Sequence, residues 1–327
     1  MNILLLQDPC GVLRMSARIM FWGISSTRPF KDRLPPCILV KIESRLIVLD
    51  AGELCQSAFE YFGLSHNTPL TILITHLHGD HVYGLAPLLE SLQLAGRREK
   101  AEIVGPPGVG EVIPLRNILK QTFPINITEL TAREGKLEID KDRRITLAYV
   151  QSPHSYISYS YVIETPEKIR LDGEKLQQES IPGRLRRKLL ERGYVQLRGK
   201  KYALEDFIRE RIPGVKIAYS GDSLPNARFA AKSLKADVLI HESTFVSSDR
   251  EGREEVAHST ASEAAYLARL AQVNLLVLTH YSTRYMDLSP LLDEARQYFA
   301  RTVLAQKGLI VEVEAKRPRI IRIILPH

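Results

Sequence analysis

The chain has 327 residues, of which 44% are hydrophobic and 25% charged, and its formal net charge is +7. This length and composition indicate a globular protein with a large core, and they exclude a membrane-spanning helix, because no segment approaches the ~18 consecutive apolar residues that such a helix requires. Three scattered cysteines, Cys10, Cys37 and Cys55, exclude a disulfide framework and a cysteine zinc knuckle, so we expect a cytoplasmic protein with no membrane partner.

Short apolar runs alternate with polar segments over the first 160 residues. Residues 1–6 are apolar but lack the basic start and the small-residue cleavage site of a signal peptide. Because the first strand-like run begins near Arg18, we expect residues 1–17 to form an N-terminal extension. Leucines at helical spacing predict a helix at Leu85–Leu94. Strands are predicted at Cys37–Lys41, Arg45–Asp50, Leu70–Thr75, Ala101–Val104, Ile145–Val150 and Ser158–Glu164.

Residues 165–213 differ from the segments on either side. They are highly charged, contain few β-branched residues and are bounded by Pro166 and Pro213, which predicts an inserted helical arm. Within this segment, residues 184–201 contain eight basic residues against one acid, Glu191, so they carry a charge of +7, equal to that of the whole chain. Such a run is either the solvated face of a helix or a surface that binds a phosphate backbone.

Strands and helices alternate again after the predicted arm. The two halves of the chain resemble each other, because Thr75-His76 and Thr279-His280 each follow an apolar strand. Two related β-rich halves with intervening helices predict a four-layer αββα sandwich, an α+β fold formed by one domain of residues 18–164 and 214–327. The further predicted elements are Val215–Tyr219, Ala227–Leu234, Val238–His241, Ser259–Ala271 and Leu275–Thr279.

The strongest chemical signal is the motif HLHGDH at residues 76–81, directly after a predicted buried strand. It places His76, His78, Asp80 and His81 within six residues, too many for a core in which each would need its own polar partner. Gly79 supplies the permissive backbone that a tight turn requires. Imidazole and carboxylate groups without thiolate are typical of a hydrolytic rather than a structural zinc site.

Three further ligand-type residues, His154, Asp222 and His280, follow predicted strands downstream. Each alone is ordinary, since a single histidine usually has a structural partner and Gly-Asp is usually a turn. In this order, and together with HLHGDH, they resemble the ligand pattern of the metallo-β-lactamase superfamily. The resemblance implies that fold, two zinc ions per subunit, and Asp80 as the proton acceptor of the attacking water. It assigns His76, His78 and His154 to one zinc ion, Asp80, His81 and His280 to the other, and Asp222 to both.

Two more motifs resemble those of the ribonuclease Z branch, whose members cut the 3′ trailer from precursor tRNA. They are HESTF at residues 241–245 and HST at residues 258–260. The resemblance implies that Glu242 orients His258, which protonates the leaving oxygen. The alternative interpretation is structural, because residues 259–260 can also cap the helix that follows. The two interpretations are compatible.

The similarity to ribonuclease Z spans residues 18–290 and includes the predicted arm. IPGRL at residues 181–185 resembles the Gly- and Pro-rich segment with which the family binds tRNA, although Arg184 stands in place of a second proline. The resemblance therefore implies precursor tRNA as the partner of the arm, and a homodimer as the assembly. The residues expected to bind RNA are Arg184, Arg186, Arg187, Lys188 and Arg192.

Three functions are compatible with these patterns. The first is a zinc-dependent endoribonuclease that cuts precursor tRNA after the discriminator nucleotide and leaves a 3′-hydroxyl. The second is a small-molecule phosphodiesterase or arylsulfatase-like hydrolase of the same fold, which would not need a basic arm. The third is a non-catalytic RNA-binding scaffold, which should have lost metal ligands, whereas all seven positions are intact. We expect the first.

Overall fold

The computed structural model describes residues 16–112, 122–250, 257–315 and 320–326. They form two compact units. The body comprises Ser16–Thr165 and Val215–Glu314 with residues 321–326, and the arm comprises Pro166–Gly214, with Ala315 and Ile320 assigned to it. Of the predicted N-terminal extension, residues 1–15 lie outside the described residues, whereas Ser16 and Ala17 begin the first strand.

The first sheet of the body has eight strands, numbered here along the whole chain. They are β1 (Ser16–Gly23), β2 (Cys37–Ile42), β3 (Arg45–Leu49), β4 (Leu70–Leu73), β5 (Ala101–Gly105), β6 (Ile125–Glu129), β18 (Ile310–Glu314) and β19 (Ile320–Ile324), in the order β19-β18-β1-β2-β3-β4-β5-β6. The pairs β1–β2 and β2–β3 are antiparallel, and β3 to β6 run parallel. The central strands are apolar and buried on both faces, as parallel strands usually are.

The second sheet has seven strands and mirrors this arrangement. They are β7 (Glu134–Asp140), β8 (Ile145–Ser152), β9 (Ser158–Glu164), β14 (Lys216–Tyr219), β15 (Val238–Glu242), β16 (Leu275–Thr279) and β17 (Thr302–Leu304), in the order β17-β16-β15-β14-β9-β8-β7. Strands β14 to β17 run parallel, and β7 to β9 are antiparallel. The body strands predicted from the sequence are all present, with limits within two residues of those expected.

Helices cover the outer face of each sheet. They are α1 (Ser57–Tyr61), α3 (Leu85–Leu94), α6 (Ala227–Lys232), α7 (Ala261–Leu270) and α8 (Ser289–Tyr298), whereas the single turn α2 (Gly79–Val82) belongs to the HLHGDH segment. Helix α3 buries four leucines, at the predicted helical spacing, in a cluster with the first sheet. Helix α7 packs on β15 and β16. The inner faces of the sheets meet, since the Tyr161 hydroxyl of β9 donates to the Ile74 carbonyl after β4 at 2.6 Å. The predicted αββα sandwich is confirmed.

The arm has a small core of its own. Its elements are β10 (Lys168–Leu171), α4 (Gly173–Gln178), α5 (Gly183–Arg192), β11 (Tyr194–Leu197), β12 (Lys200–Ala203), a 3₁₀ helix (Leu204–Phe207) and β13 (Ile208–Ile212). The predicted helices are present, but four unpredicted strands form the antiparallel pairs β10–β13 and β11–β12, so the arm is mixed rather than purely helical. Between β11 and β12, Arg198 and Gly199 have φ angles of 51° and 78°, as a two-residue hairpin turn requires. These strands have only four or five residues each, too few for an alternation of polar and apolar residues to indicate them clearly.

Candidate metal centre

The predicted ligands all follow strand ends. The HLHGDH segment follows β4, His154 follows β8, Asp222 follows β14, and His280 follows β16. Gly221, before Asp222, has a φ of 58°, and an added Cβ would lie 2.6 Å from the Thr75 side chain, so this turn requires glycine. Ligand-type side chains from both sheets are thereby brought into one cluster.

Four of these residues form a first group. The donor atoms of His76, His78, His154 and Asp222 all lie within 4.8 Å of one another. His78 Nδ1 is 2.9 Å from His76 Nε2 and 3.3 Å from His154 Nε2. Burial, with the neighbouring imidazoles, lowers the pKa of His76 well below its ordinary value. Burial likewise lowers the pKa values of His78 and His154. The three rings are therefore held neutral, in the form that binds a metal.

Asp80, His81 and His280 form a second group. Asp80 Oδ2 lies 3.7 Å from His81 Nε2 and 3.6 Å from His280 Nε2. Asp222 stands between the groups, with its Oδ2 at 3.3 Å from His81 Nε2, 3.2 Å from His280 Nε2 and 3.7 Å from His76 Nε2. One carboxylate thus faces the donor atoms of both groups, which is the position that a shared ligand needs.

Unpaired polar atoms show that the centre suits a cation. Among the described residues, His81 Nε2, His280 Nε2 and Asp222 Oδ1 are buried without a hydrogen-bond partner. Such groups are costly in a protein interior unless something binds them. Burial alone would lower the pKa of His81, but the charges of Asp222 and Asp50 raise it well above its ordinary value. The carboxylates therefore favour positive charge at this point, and the residues present fit a metal.

Asp50 contacts Nδ1 of His81, the ring nitrogen that faces away from the cluster. It was not predicted from the sequence as a residue of the site. Its buried carboxylate is 2.8 Å from His81 Nδ1 and accepts hydrogen bonds from the Tyr219 hydroxyl at 2.7 Å and the Thr75 amide at 2.7 Å. A carboxylate on the second ring nitrogen fixes the tautomer and orientation of a metal-binding histidine. The signals in the sequence are an aspartate directly after an apolar strand and the segment LDAGE at residues 49–53, which resembles a turn of the ribonuclease Z family.

Two further partners of the same kind were also missed. The Thr244 hydroxyl is 3.0 Å from His280 Nδ1, and the Ala257 carbonyl is 2.8 Å from His154 Nδ1. Each leaves Nε2 of its histidine facing the cluster. A backbone carbonyl carries no sequence signal, and Thr244 lies in the HESTF motif without any feature that assigns it to His280.

Three residues around the centre have a strained backbone conformation. Thr27, Asp50 and His280 have φ angles of 60°, 58° and 58°, in the left-handed region that non-glycine residues seldom adopt. In this conformation the Thr27 amide donates a hydrogen bond to Asp80 Oδ2 at 2.8 Å. Each such residue costs on the order of 1–3 kcal/mol and persists only where the surrounding structure enforces it. Strain here orients groups of the centre.

Glu242 and His258 are in contact beside the cluster. His258 Nδ1 lies 3.0 Å from Glu242 Oε1, and the buried Glu242 carboxylate also accepts hydrogen bonds from the Ser223 amide at 2.7 Å and the Thr244 hydroxyl at 2.6 Å. Burial alone would lower the pKa of His258, but the charge and hydrogen bond of Glu242 raise it to about 9. His258 therefore carries a proton at neutral pH.

The structural interpretation of the HST motif also holds. Thr260 is the N-cap of α7 and forms a capping box with Glu263, while the Ser259 hydroxyl donates to the Ser223 carbonyl at 2.6 Å. The cap therefore fixes the backbone on which His258 stands. The ring of His258 lies 5.3 Å from that of His280 and 5.2 Å from that of His154.

The predicted RNA-binding residues belong to the arm. Arg187 forms an ion pair with Glu191 at 2.7 Å. All five side chains are exposed on helix α5: Arg184, Arg186, Arg187, Lys188 and Arg192.

Comparison with known proteins identifies the family. A family model described as the metallo-beta-lactamase superfamily matches residues 31–164. Ribonuclease Z of Nitrosopumilus maritimus is 33% identical over 299 residues, covering 91% of this chain and 100% of that protein. Ribonuclease Z of Methanothermobacter thermautotrophicus is 35% identical over 301 residues, covering 91% and 97%. The chain belongs to the ribonuclease Z family.

Solved structures agree on the fold of this ribonuclease Z family member. The short form of human tRNase Z superposes with a TM-score of 0.63 at 21% identity, covering 90% of this chain and 98% of that one. The metallo-beta-lactamase fold protein YhfI from Bacillus subtilis gives 0.65 at 18% identity, covering 91% and 100%. The predicted metallo-β-lactamase fold is confirmed.

Membership of the ribonuclease Z family makes the chain an enzyme, a hydrolase of the endoribonuclease type. The superfamily binds divalent metal ions, and the two His/Asp groups are suited to this. Within the described part of the chain, every helix is too short or too polar to cross a bilayer.

Proposed function

We propose that the enzyme is a zinc-dependent endoribonuclease that removes the 3′ trailer from precursor tRNA, cutting after the discriminator nucleotide and leaving a 3′-hydroxyl on the tRNA. The observation that carries the proposal is the convergence of seven ligand-type side chains beside the Glu242–His258 pair. The related proteins named ribonuclease Z and tRNase Z indicate the class of substrate.

The proposed ligand sets follow the two groups. His76, His78 and His154 would hold one zinc ion, Asp80, His81 and His280 the other, and Asp222 both. Imidazole and carboxylate donors without thiolate suit a hydrolytic zinc site. When bound, a metal pair activates water and stabilises the charge that develops on the phosphate.

The residues of the chain supply proton transfer. Asp80, held by the Thr27 amide, accepts the proton of the attacking water. The water oxygen bonds to phosphorus, the bond from phosphorus to the 3′ oxygen of the discriminator nucleotide breaks, and the phosphate stays on the trailer. His258, protonated and oriented by Glu242, gives its proton to the departing 3′ oxygen. The products are a 3′-hydroxyl and a 5′-phosphate.

The arm separates this proposal from a small-molecule phosphodiesterase, which has no use for it. Five exposed cations on one helix form a surface that can neutralise several phosphates. The arm has its own core. The two body residues that flank it are hydrogen-bonded to each other: the Thr165 amide donates to the Val215 carbonyl at 2.9 Å, and the Val215 amide donates to the Thr165 hydroxyl at 2.8 Å. The two ends of the arm therefore lie side by side, and the arm can be removed cleanly.

Replacing residues 167–212 with a short Gly/Ser linker is expected to raise the KM for precursor tRNA at least about a hundredfold, because several phosphate contacts are lost together. Hydrolysis of a small chromogenic phosphodiester should stay within about twofold, since the arm contributes no proposed metal ligand. Steady-state kinetics on both substrates measures whether tRNA cleavage is impaired while hydrolysis of the small diester is retained.

A charge-only variant is the matched control. Changing the five basic residues of α5 to glutamine keeps the fold of the arm and should reproduce much of the loss, together with a weaker dependence on salt. Equal loss of tRNA and small-diester cleavage on removal of the arm would show that the arm is structural.

The resemblance also supports a homodimer in which the arm of one subunit serves the metal centre of the other. A mixed dimer of one arm-less subunit and one Asp222→Ala subunit should then keep activity, because one intact arm still faces one intact centre. An inactive mixed dimer would exclude this arrangement.

A further inference from the structure

An open pocket of ≈ 600 Å³ lies on the body next to the proposed metal ligand His154, and is here called the side pocket. Arg133, Tyr156 and Arg228 line it, and none of them takes part in the chemistry above. Of the described residues that line it, none is acidic.

The floor of the side pocket is fixed by hydrogen bonds. The buried Asn226 amide group donates to the Gln151 carbonyl at 3.2 Å and to the Ser152 hydroxyl at 3.1 Å. The side-chain oxygen of Asn226 accepts from the backbone amide of Arg228 at 3.0 Å, so the backbone that carries Arg228 is tied to strand β8. The pocket is therefore preformed.

Its two cations are available to a ligand. Arg133 and Arg228 are both exposed, and neither forms an ion pair with a carboxylate of the described residues. The adjacent acid, Glu134, forms its ion pair with Lys232 at 3.0 Å, and the charge of Arg228 makes only a smaller contribution to lowering the pKa of Glu134. Exposed guanidinium groups that are not held in an ion pair are suited to phosphate oxygens.

Tyr156 supplies an aromatic surface between the cations and the metal centre. Its side chain is 60% exposed, although its ring lies only 4.5 Å from that of His78, edge to face at 72°. The contact with His78 orients the ring and leaves it accessible. An exposed aromatic ring beside free cations is the combination that binds single-stranded nucleotides, through stacking of the base and neutralisation of the phosphates.

We propose that the side pocket binds the nucleotide next to the scissile phosphate, with its base stacked on Tyr156 and the adjoining phosphates bound by Arg133 and Arg228. The inference rests on the proposed function, because only a polynucleotide extends beyond the bond that is cut. His78 and His154 connect the two sites, since one contacts Tyr156 and the other lines the pocket.

Binding of product-like oligonucleotides to the full-length, metal-loaded protein tests this. One probe is a 5′-phosphorylated pentaribonucleotide, corresponding to the trailer side, and the other is a pentaribonucleotide ending in a 3′-hydroxyl, each labelled at its far end for fluorescence anisotropy. Arg133→Ala/Arg228→Ala should raise, at least about tenfold, the Kd of whichever probe occupies the side pocket. The slope of log Kd against log salt concentration should fall by about 1.4 for that probe, because two phosphate contacts are lost. Tyr156→Ala should raise the same Kd about tenfold, and Tyr156→Phe should keep it within about twofold.

Lys41→Ala/Arg98→Ala is the matched control. Both residues are exposed, the change of charge is the same, and each lies at a strand end remote from the ligands, so binding should not change. Unchanged binding of both probes by the arginine and tyrosine variants would overturn the inference while leaving the proposed function intact. A wild-type protein that binds neither probe would also overturn it, and mapping of the cut in precursor tRNA would show whether the proposed function falls as well.

Discussion

Asp222→Ala is expected to remove both metal ions and to lower the rate of RNA cleavage at least about a thousandfold. The reason is geometric, since its Oδ2 lies 3.2–3.7 Å from nitrogens of His280, His81 and His76, which belong to both groups. Loss of a terminal ligand would weaken one site, whereas loss of this carboxylate weakens both. Elemental analysis should fall from close to two metal ions per subunit to well below one.

The control for this change is Asp142→Ala, which removes an exposed carboxylate from the turn between β7 and β8 and should keep metal and activity. Asp222→Asn preserves the size of the side chain and checks that any loss comes from the ligand rather than from misfolding, with circular dichroism as the measure of fold. Metal-free protein that still cut RNA would contradict the two-metal account.

His258→Ala is expected to retain both metal ions and the fold while slowing cleavage ~10²–10⁴-fold, the usual effect of losing a general acid. The closest polar partner of His258 is Glu242, with Nδ1 3.0 Å from Oε1, whereas Asp222 Oδ2 lies 3.9 Å away and the rings of His154 and His280 lie more than 5 Å away. Single-turnover rates, together with metal analysis of the same sample, separate a lost proton donor from a lost metal.

Glu242→Gln tests whether the two residues act as a pair. The single change should slow cleavage, and the double variant should be little slower than His258→Ala alone, because Glu242 acts through the histidine. His66→Ala is the matched control, since His66 precedes β4, at the strand end opposite the ligands. Full activity of His258→Ala would contradict proton donation by His258 and would leave helix capping as the role of the HST motif.

The candidate ligands could be proposed from the sequence because these histidines and aspartates lie in short motifs directly after predicted strands. HLHGDH places four of the seven in six residues, and the other three each follow an apolar run whose length and composition already indicate a strand. The αββα layers could be predicted for the same reason, since the central strands are continuous apolar runs and α3 repeats leucine at helical spacing.

The groups that hold the ligands could not be predicted in this way. Asp50 and His81 are 31 residues apart, and Thr244 and His280 are 36 apart, so only the folded sheets bring them together. The strands of the arm were not predicted because each is only four or five residues long. Strand β7 was not predicted either, although Glu134 to Asp140 alternates exposed charged residues with partly buried ones, the pattern of a half-buried strand. The side pocket depends on Arg133, Tyr156 and Arg228, which come from three separate segments.

Mapping the cut in a 5′-labelled precursor tRNA with a defined 3′ trailer tests the central claim most directly. One cut is expected, immediately after the discriminator nucleotide, giving a tRNA with a 3′-hydroxyl and a trailer with a 5′-phosphate. Treatment with a chelator should abolish that cut, and added zinc should restore it. An intact precursor under zinc-replete conditions, or cuts scattered along the trailer and the tRNA body, would contradict it.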